Sequence, residues 1–116
     1  MLHDRATLLD MLKAACLAVE FREGMDKRAF LNDPKTQSAI LHQLLVLGEA
    51  AKRLSQEFRE RHQRIPWKKI TGMRDKLIHE YDNVNLDEVW KTARSDMPRL
   101  IKQLEPLVPG KEESEP

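Results

Sequence analysis

The 116-residue sequence predicts an all-α fold, an antiparallel bundle of four to five helices with short connections. Three observations carry that prediction. Apolar residues return every three or four positions over long stretches, no run alternates with the period of two that a half-buried strand needs, and Gly24, Pro34 and Pro66 punctuate the periodic stretches. At this length the chain is expected to be one domain, residues 1–108, followed by a charged tail, 109–116, whose "PGKEESEP" lacks the apolar residues to build a core and is expected to be disordered.

Leu8, Leu12, Ala15 and Val19 recur at helical spacing and predict a first amphipathic helix over roughly residues 3–22, interrupted at Gly24. "MDKRAFLND" reads as a short second helix. Asp33 is placed as an N-cap and Pro34 as a first-turn residue for the third. That helix is the best signalled: Ile40, Leu44, Leu47, Ala51, Leu54 and Phe58 form a heptad-like stripe, widened by Leu41 and Leu45, over roughly 34–63. "RIPW" breaks the pattern, because Pro66 disfavours a helical Ile65 and suits a helix start, so a fourth helix is expected from about Pro66 to about His79. Asn85 with Glu88 three positions on resembles a capping box. Leu86, Val89, Trp90, Ala93, Met97, Leu100, Ile101 and Leu104 continue the last helix, with Pro98 expected to kink it.

Composition excludes several classes. Twenty basic against nineteen acidic residues leave a net charge of +1, so an argument for nucleic-acid binding has to be local. The single Cys16 cannot form an internal disulfide; within "MLKAACLAV" it reads as a buried, reduced core thiol of a cytoplasmic protein. No cysteine cluster of zinc type is present. Asp4, Asp10 and Lys13 interrupt the N-terminal apolar pattern, so neither a signal peptide nor a membrane span is expected.

The chemistry-bearing residues concentrate in "RDKLIHEY", which holds Arg74, His79 and the only tyrosine, Tyr81. Ile70, Met73 and Leu77 mark the buried face of the fourth helix. At about 100° per residue Arg74 flanks that face, whereas His79 lies about 140° from Arg74, away from the core. On these residues alone a bland surface has the better claim, since arginine and histidine near a helix C-terminus also suit the dipole. A functional reading carries a condition: the two side chains converge only if the helix distorts before His79 or a second copy completes the cleft. "RERHQRIPWKK" adds Arg59, Arg61, His62, Arg64, Lys68 and Lys69; with Arg74 and Lys76 they could form a positive rim beside the candidate site, or simply a solvated helix end. Trp67 reads as a core anchor.

The extended block "IPWKKITGMRDKLIHEYDNVNLDEVW" resembles the signature of the HepT-like branch of the HEPN superfamily, whose motif is an arginine, four to six residues and a histidine. Arg74, the polar Asp75 and His79 match it with four residues between, Tyr81 matches the branch's tyrosine, and "LGEAAKRLS", residues 47–55, resembles the family's long helix. The family often has asparagine where this chain has Asp75. The resemblance implies a HEPN-like bundle and a homodimer with a cleft at its two-fold interface. It implies the toxin of a type VII-like toxin–antitoxin system, a metal-independent endoribonuclease with catalytic Arg74 and His79. Asp75 would be auxiliary, and from the basic cluster itself, apart from the resemblance, Arg64, Lys68, Lys69 and Lys76 are candidates to contact RNA. It further implies that a cognate MntA-type nucleotidyltransferase antitoxin, using its own ATP and Mg²⁺, transfers AMP to Tyr81, while this chain itself needs no metal or cofactor. Two other readings stand beside it: a non-catalytic helical partner that serves mainly as AMP acceptor, and a small DNA-binding helical protein, which the lack of net basic charge and of a short helix-turn-helix spacing disfavours.

Overall fold

The computed structural model describes residues 2–108, and it is helical throughout, with no strand among the described residues. The elements are α1 (Leu2–Phe21), α2 (Lys27–Leu31), α3 (Pro34–Arg53), α4 (Gln56–Arg61), α5 (Trp67–His79) and a last helix, α6. The last begins as Leu86–Lys91, passes through a π-helical turn, Thr92–Asp96, and resumes as Met97–Leu104. The tail from 109 lies outside the described residues.

Side-chain contacts set the directions. The start of α1 meets the end of α3 (His3 Nε2 to Arg53 O, 3.0 Å), Lys52 of α3 meets Asp75 of α5 (2.7 Å), and Arg22 after α1 reaches Ala93 O in α6 (3.1 Å). Consecutive long helices therefore run antiparallel, around a core that includes Leu8, Met11, Ile40, Leu44, Leu47, Ile70, Leu77, Met97 and Leu104. Phe30 of α2 closes one end against Trp90, with ring centroids 5.3 Å apart.

The caps read from sequence are present. Asp33 accepts from Thr36 N at 3.2 Å, and Asn85 accepts from Glu88 N at 3.2 Å. The capping box is only half made, because the Glu88 carboxylate turns to Lys76 (3.1 Å) rather than back to its own helix start. Pro66 stands one position before α5, as its N-cap.

Two expectations are corrected and one is refined. The long helix does not reach residue 63: it stops at Arg53, Leu54 turns extended (φ −68°, ψ 143°), and α4 starts afresh. The cause is a competing set of hydrogen bonds at Ser55. Its hydroxyl caps Phe58 N (3.1 Å), while its own N–H and Oγ–H donate to the buried Asp4 at 2.9 and 2.7 Å. Burial works to raise the Asp4 pKa, but the two bonds from Ser55 and nearby His3 outweigh it and leave the carboxyl below its usual value. A depressed folded pKa means this link contributes at neutral pH and is lost only as pH falls through it in acid.

The second is a refinement at Pro98, where the helix carries on as expected but passes through a π-turn just before the proline. Met97 N donates five residues back, to Thr92 O, and Pro98 has no N–H to give. The carbonyls of Ala93 and Arg94 are thereby released, and Arg22 donates to both, at 3.1 and 3.5 Å. The third concerns Cys16, which is exposed rather than a core thiol. Ala15 and Ala18 face inward, and Cys16 lies about 100° further round α1. Residual burial, with Glu105 and Glu20 nearby, pushes its thiol pKa up.

Candidate functional site

Helix α5 carries the motif, and Trp67 anchors its start. The Trp67 ring is buried, its Nε1–H donates to His62 O at 3.0 Å, and it packs edge-on against Phe58 at 6.2 Å. Ile70 and Leu77 point into the core, which fixes the rotation of the helix and hence the direction of everything after it.

Arg74 is the most constrained of the candidate residues, with its side chain 25% exposed. Gly48 of α3 lies directly beneath it: a Cβ at Gly48 would collide with the Cβ of Arg74 and come within 2.8 Å of its Cγ. Because the two helices touch here without an intervening side chain, the guanidinium spreads across α3 to Glu49 (2.7 Å) and also meets Asp75 (3.0 Å). Asp75 in turn holds Lys52 of α3 at 2.7 Å. The bond to Asp75 raises the Arg74 pKa against partial desolvation, and Glu49 adds to the rise. Asp75 is held below the usual carboxylate range, by the Lys52 ammonium first and the Arg74 guanidinium second. The four charges sum to zero, so Arg74 is positioned but already occupied by carboxylates.

Gly48, Glu49 and Lys52 were not singled out by sequence reasoning. A glycine inside the strongest helical period, three residues after Leu45 and one after Leu47, was the available signal of close helix approach. Gly48→Val is expected to lower stability by about 1–3 kcal/mol through overpacking at α3–α5. A urea midpoint equal to that of the parent would contradict this reading of the contact.

His79 is the last residue of α5, and α5 is regular α-helix up to it. It is exposed and lines a hollow with Lys76, Glu80, Asp82, Asn83, Val84 and Asn85, whereas Arg74 lines a different groove with Leu17 of α1, Val46 of α3 and Ile78 of α5. Within one chain the structure therefore does not bring Arg74 and His79 into a common pocket. The chain then enters a 3₁₀ turn, Tyr81–Asn83, with Tyr81 72% exposed.

Of the basic residues only Lys76 borders the His79 hollow; Arg64, Lys68 and Lys69 lie at the other end of α5. Lys68 stands eleven residues before His79, about 16 Å along the helix, so the rim extends away from His79 and does not cluster around it. Arg64 and Lys68 are exposed, Lys69 is 4.0 Å from Asp96, and Lys76 is paired with Glu88. Arg59 is half-buried, and its Nε has no hydrogen-bond partner among the described residues. Among the described residues no group of three or more His, Cys, Asp or Glu is arranged to hold a metal ion, and no helix is long and apolar enough to cross a membrane.

The antiparallel helical bundle, with an arginine and, five residues on, a helix-terminal histidine, is consistent with a HEPN-type domain. More narrowly, the chain belongs to the HepT-like family: the profile described as "Ribonuclease HepT-like" matches residues 11–107. It is 40% identical over 104 residues to a protein of Caldanaerobacter subterraneus named "Putative RNase TTE0752", covering 90% of this chain and 93% of the relative. It is 40% identical over 100 residues to "Probable ribonuclease HepT" of Thermococcus cleftensis, covering 86% and 91%. To "Putative RNase MJ0125" of Methanocaldococcus jannaschii it is 37% identical over 109 residues, with 94% of each chain covered. No solved structure matches the chain.

Proposed function

We propose that this chain is the toxin of a toxin–antitoxin pair and cuts RNA without a metal ion, with Arg74 and His79 acting in a homodimer. The observation that carries the reading is the pairing, on one regular helix, of an anchored arginine with an open, helix-terminal histidine. Family membership and the names of the relatives support the substrate class. In the chemistry these residues suit, the 2′-oxygen forms a bond to phosphorus while the bond from phosphorus to the 5′-oxygen breaks. A neutral histidine takes the 2′ proton and a protonated one gives a proton to the departing oxygen. Arginine bears the charge that gathers on the phosphorane.

One histidine cannot be base and acid at once, and a two-fold dimer supplies two. The regularity of α5 supports the same arrangement: a distortion before His79 was one of two ways to unite it with Arg74, and a second copy is the other. Phosphate reaching Arg74 must compete with Glu49, whose tie to the guanidinium is exposed and hence exchangeable. The partner we assign is a cognate MntA-type nucleotidyltransferase, which uses ATP and Mg²⁺ to modify Tyr81.

The test uses the purified chain, free of partner and verified by mass as unmodified. It is expected to cleave single-stranded RNA in the presence of EDTA and to sediment as a dimer at micromolar concentration. A monomer with full activity would remove the shared cleft. Failure to cut RNA, with AMP still accepted, would favour a non-catalytic partner, a reading to which the exposure of Tyr81 lends support.

A further inference from the structure

Helix α5 contains a glycine that its own chain does not explain. Gly72 lies inside the 13-residue helix, where glycine is unfavourable relative to alanine. At Gly48 that cost has a visible cause in the contact with Arg74. At Gly72 it has none: its φ is not positive, and a Cβ built there meets no atom within 4 Å. Within the described fold nothing contacts this position, so the bare main chain there is open to a ligand from outside.

The surroundings indicate what it is. At about 100° per residue, Lys68, Lys69, Lys76 and His79 all fall within about 60° of Gly72, on a stripe about 16 Å long that ends at His79. The one carboxylate of α5 at its margin, Asp75, is already engaged by Lys52 and Arg74. Beside the stripe α5 and α6 part to leave a cleft of about 280 Å³, floored by Ile70, Met73, Met97 and Leu100, with Gly72 on its lip. A smaller hollow containing Met73, Lys76 and Glu80 continues from it to the His79 loop. Lys69 and Lys76 meet α6 carboxylates across the cleft, at 4.0 and 3.1 Å, and both ammonium groups are on exposed side chains that a phosphate can reach. Arg99 on the opposite wall adds a further cation. The volume is at the small end for ligand sites, and paired methionines make an adaptable apolar floor.

We infer that this face of α5 is a track for single-stranded RNA. Phosphates lie on Lys68, Lys69 and Lys76, the backbone passes over Gly72, and one unpaired base turns into the α5–α6 cleft. Turning a base inward requires a strand free of pairing, and apolar surface flanked by cations is the chemistry single strands use. Delivery of the scissile phosphate to His79 rests on the ribonuclease reading; the track itself does not.

Gly72→Ala and Gly72→Leu test it, with a short fluorescein-labelled 2′-O-methyl oligouridine as a probe that cannot react through its 2′-oxygen. Binding is read by fluorescence anisotropy, folding by thermal melting and assembly by sedimentation. The alanine variant is expected to melt at or above the parent temperature, because alanine suits a helix better, yet to bind several-fold more weakly. The leucine variant is expected to bind about tenfold more weakly, equivalent to ~1.4 kcal/mol. Lys69→Glu should weaken binding and flatten its salt dependence. Parent-level binding by both glycine variants, no binding by the parent, or an effect of Gly72→Leu confined to oligomeric state would each overturn the track. A parent that binds the probe but cuts no RNA would sink the ribonuclease reading and leave the track standing.

Discussion

Replacing His79 with alanine is expected to lower the rate of RNA cleavage by roughly 10²–10⁴-fold, the usual contribution of a general acid–base group. Helicity and melting temperature should hardly change, because His79 is exposed at the last position of α5 and its side chain makes no hydrogen bond or ion pair among the described residues. The loss should appear chiefly in kcat, since a proton transfer belongs to the transition state more than to binding. Mixed dimers sharpen the test. If one histidine acts as base and the other as acid, a dimer with one altered copy should lose most of its activity rather than half. An activity that persists in His79→Ala and vanishes with chelator would show that other residues and a metal ion do the work.

Incubation with the cognate nucleotidyltransferase, ATP and Mg²⁺ is expected to add AMP to the parent chain and none to Tyr81→Phe. The hydroxyl oxygen of Tyr81 would attack the α-phosphorus of ATP, form the phosphodiester and release pyrophosphate, with the phenolic proton passing to solvent or to the partner. Two structural facts favour Tyr81 as acceptor. It is 72% exposed, and it stands at the first position of a 3₁₀ turn just beyond α5, where an approaching enzyme meets little of the bundle. The attached nucleotide would set bulk and negative phosphate two residues from His79, excluding RNA phosphates by volume and like charge with no change of fold. Cleavage should therefore fall in step with the mass gain. Equal labelling of the phenylalanine variant would place the acceptor elsewhere; full labelling with undiminished cleavage would separate modification from control.

Much of this was legible from the chain alone. The periods of α1, α3 and α6, the Asp33 and Asn85 caps, the break at Pro66 and the outward angle of His79 all follow from residue spacing, because a helix turns at a constant rate. The motif itself is local, so Arg74, Asp75, His79 and Tyr81 could be named before any fold was known. What spacing cannot register is a competitor brought from a distance. Asp4 is fifty-one residues from Ser55, yet its two hydrogen bonds mark the point where the apparent long helix ends. Arg22 is seventy-one residues from Ala93, and its guanidinium satisfies the carbonyls that the π-turn before Pro98 sets free. Cys16 sits in an apolar run and still faces outward, since the run continues around the whole helix and only packing selects its inner side. The same holds at the site. Sequence determined which residues are candidates to carry the chemistry and which way α5 turns them. Tertiary structure alone decided that Gly48 lets α3 press against Arg74, that Glu49, Asp75 and Lys52 enclose it, and that one chain keeps Arg74 and His79 in separate grooves, because close packing and charge pairing are properties of surfaces that meet only when the chain has folded.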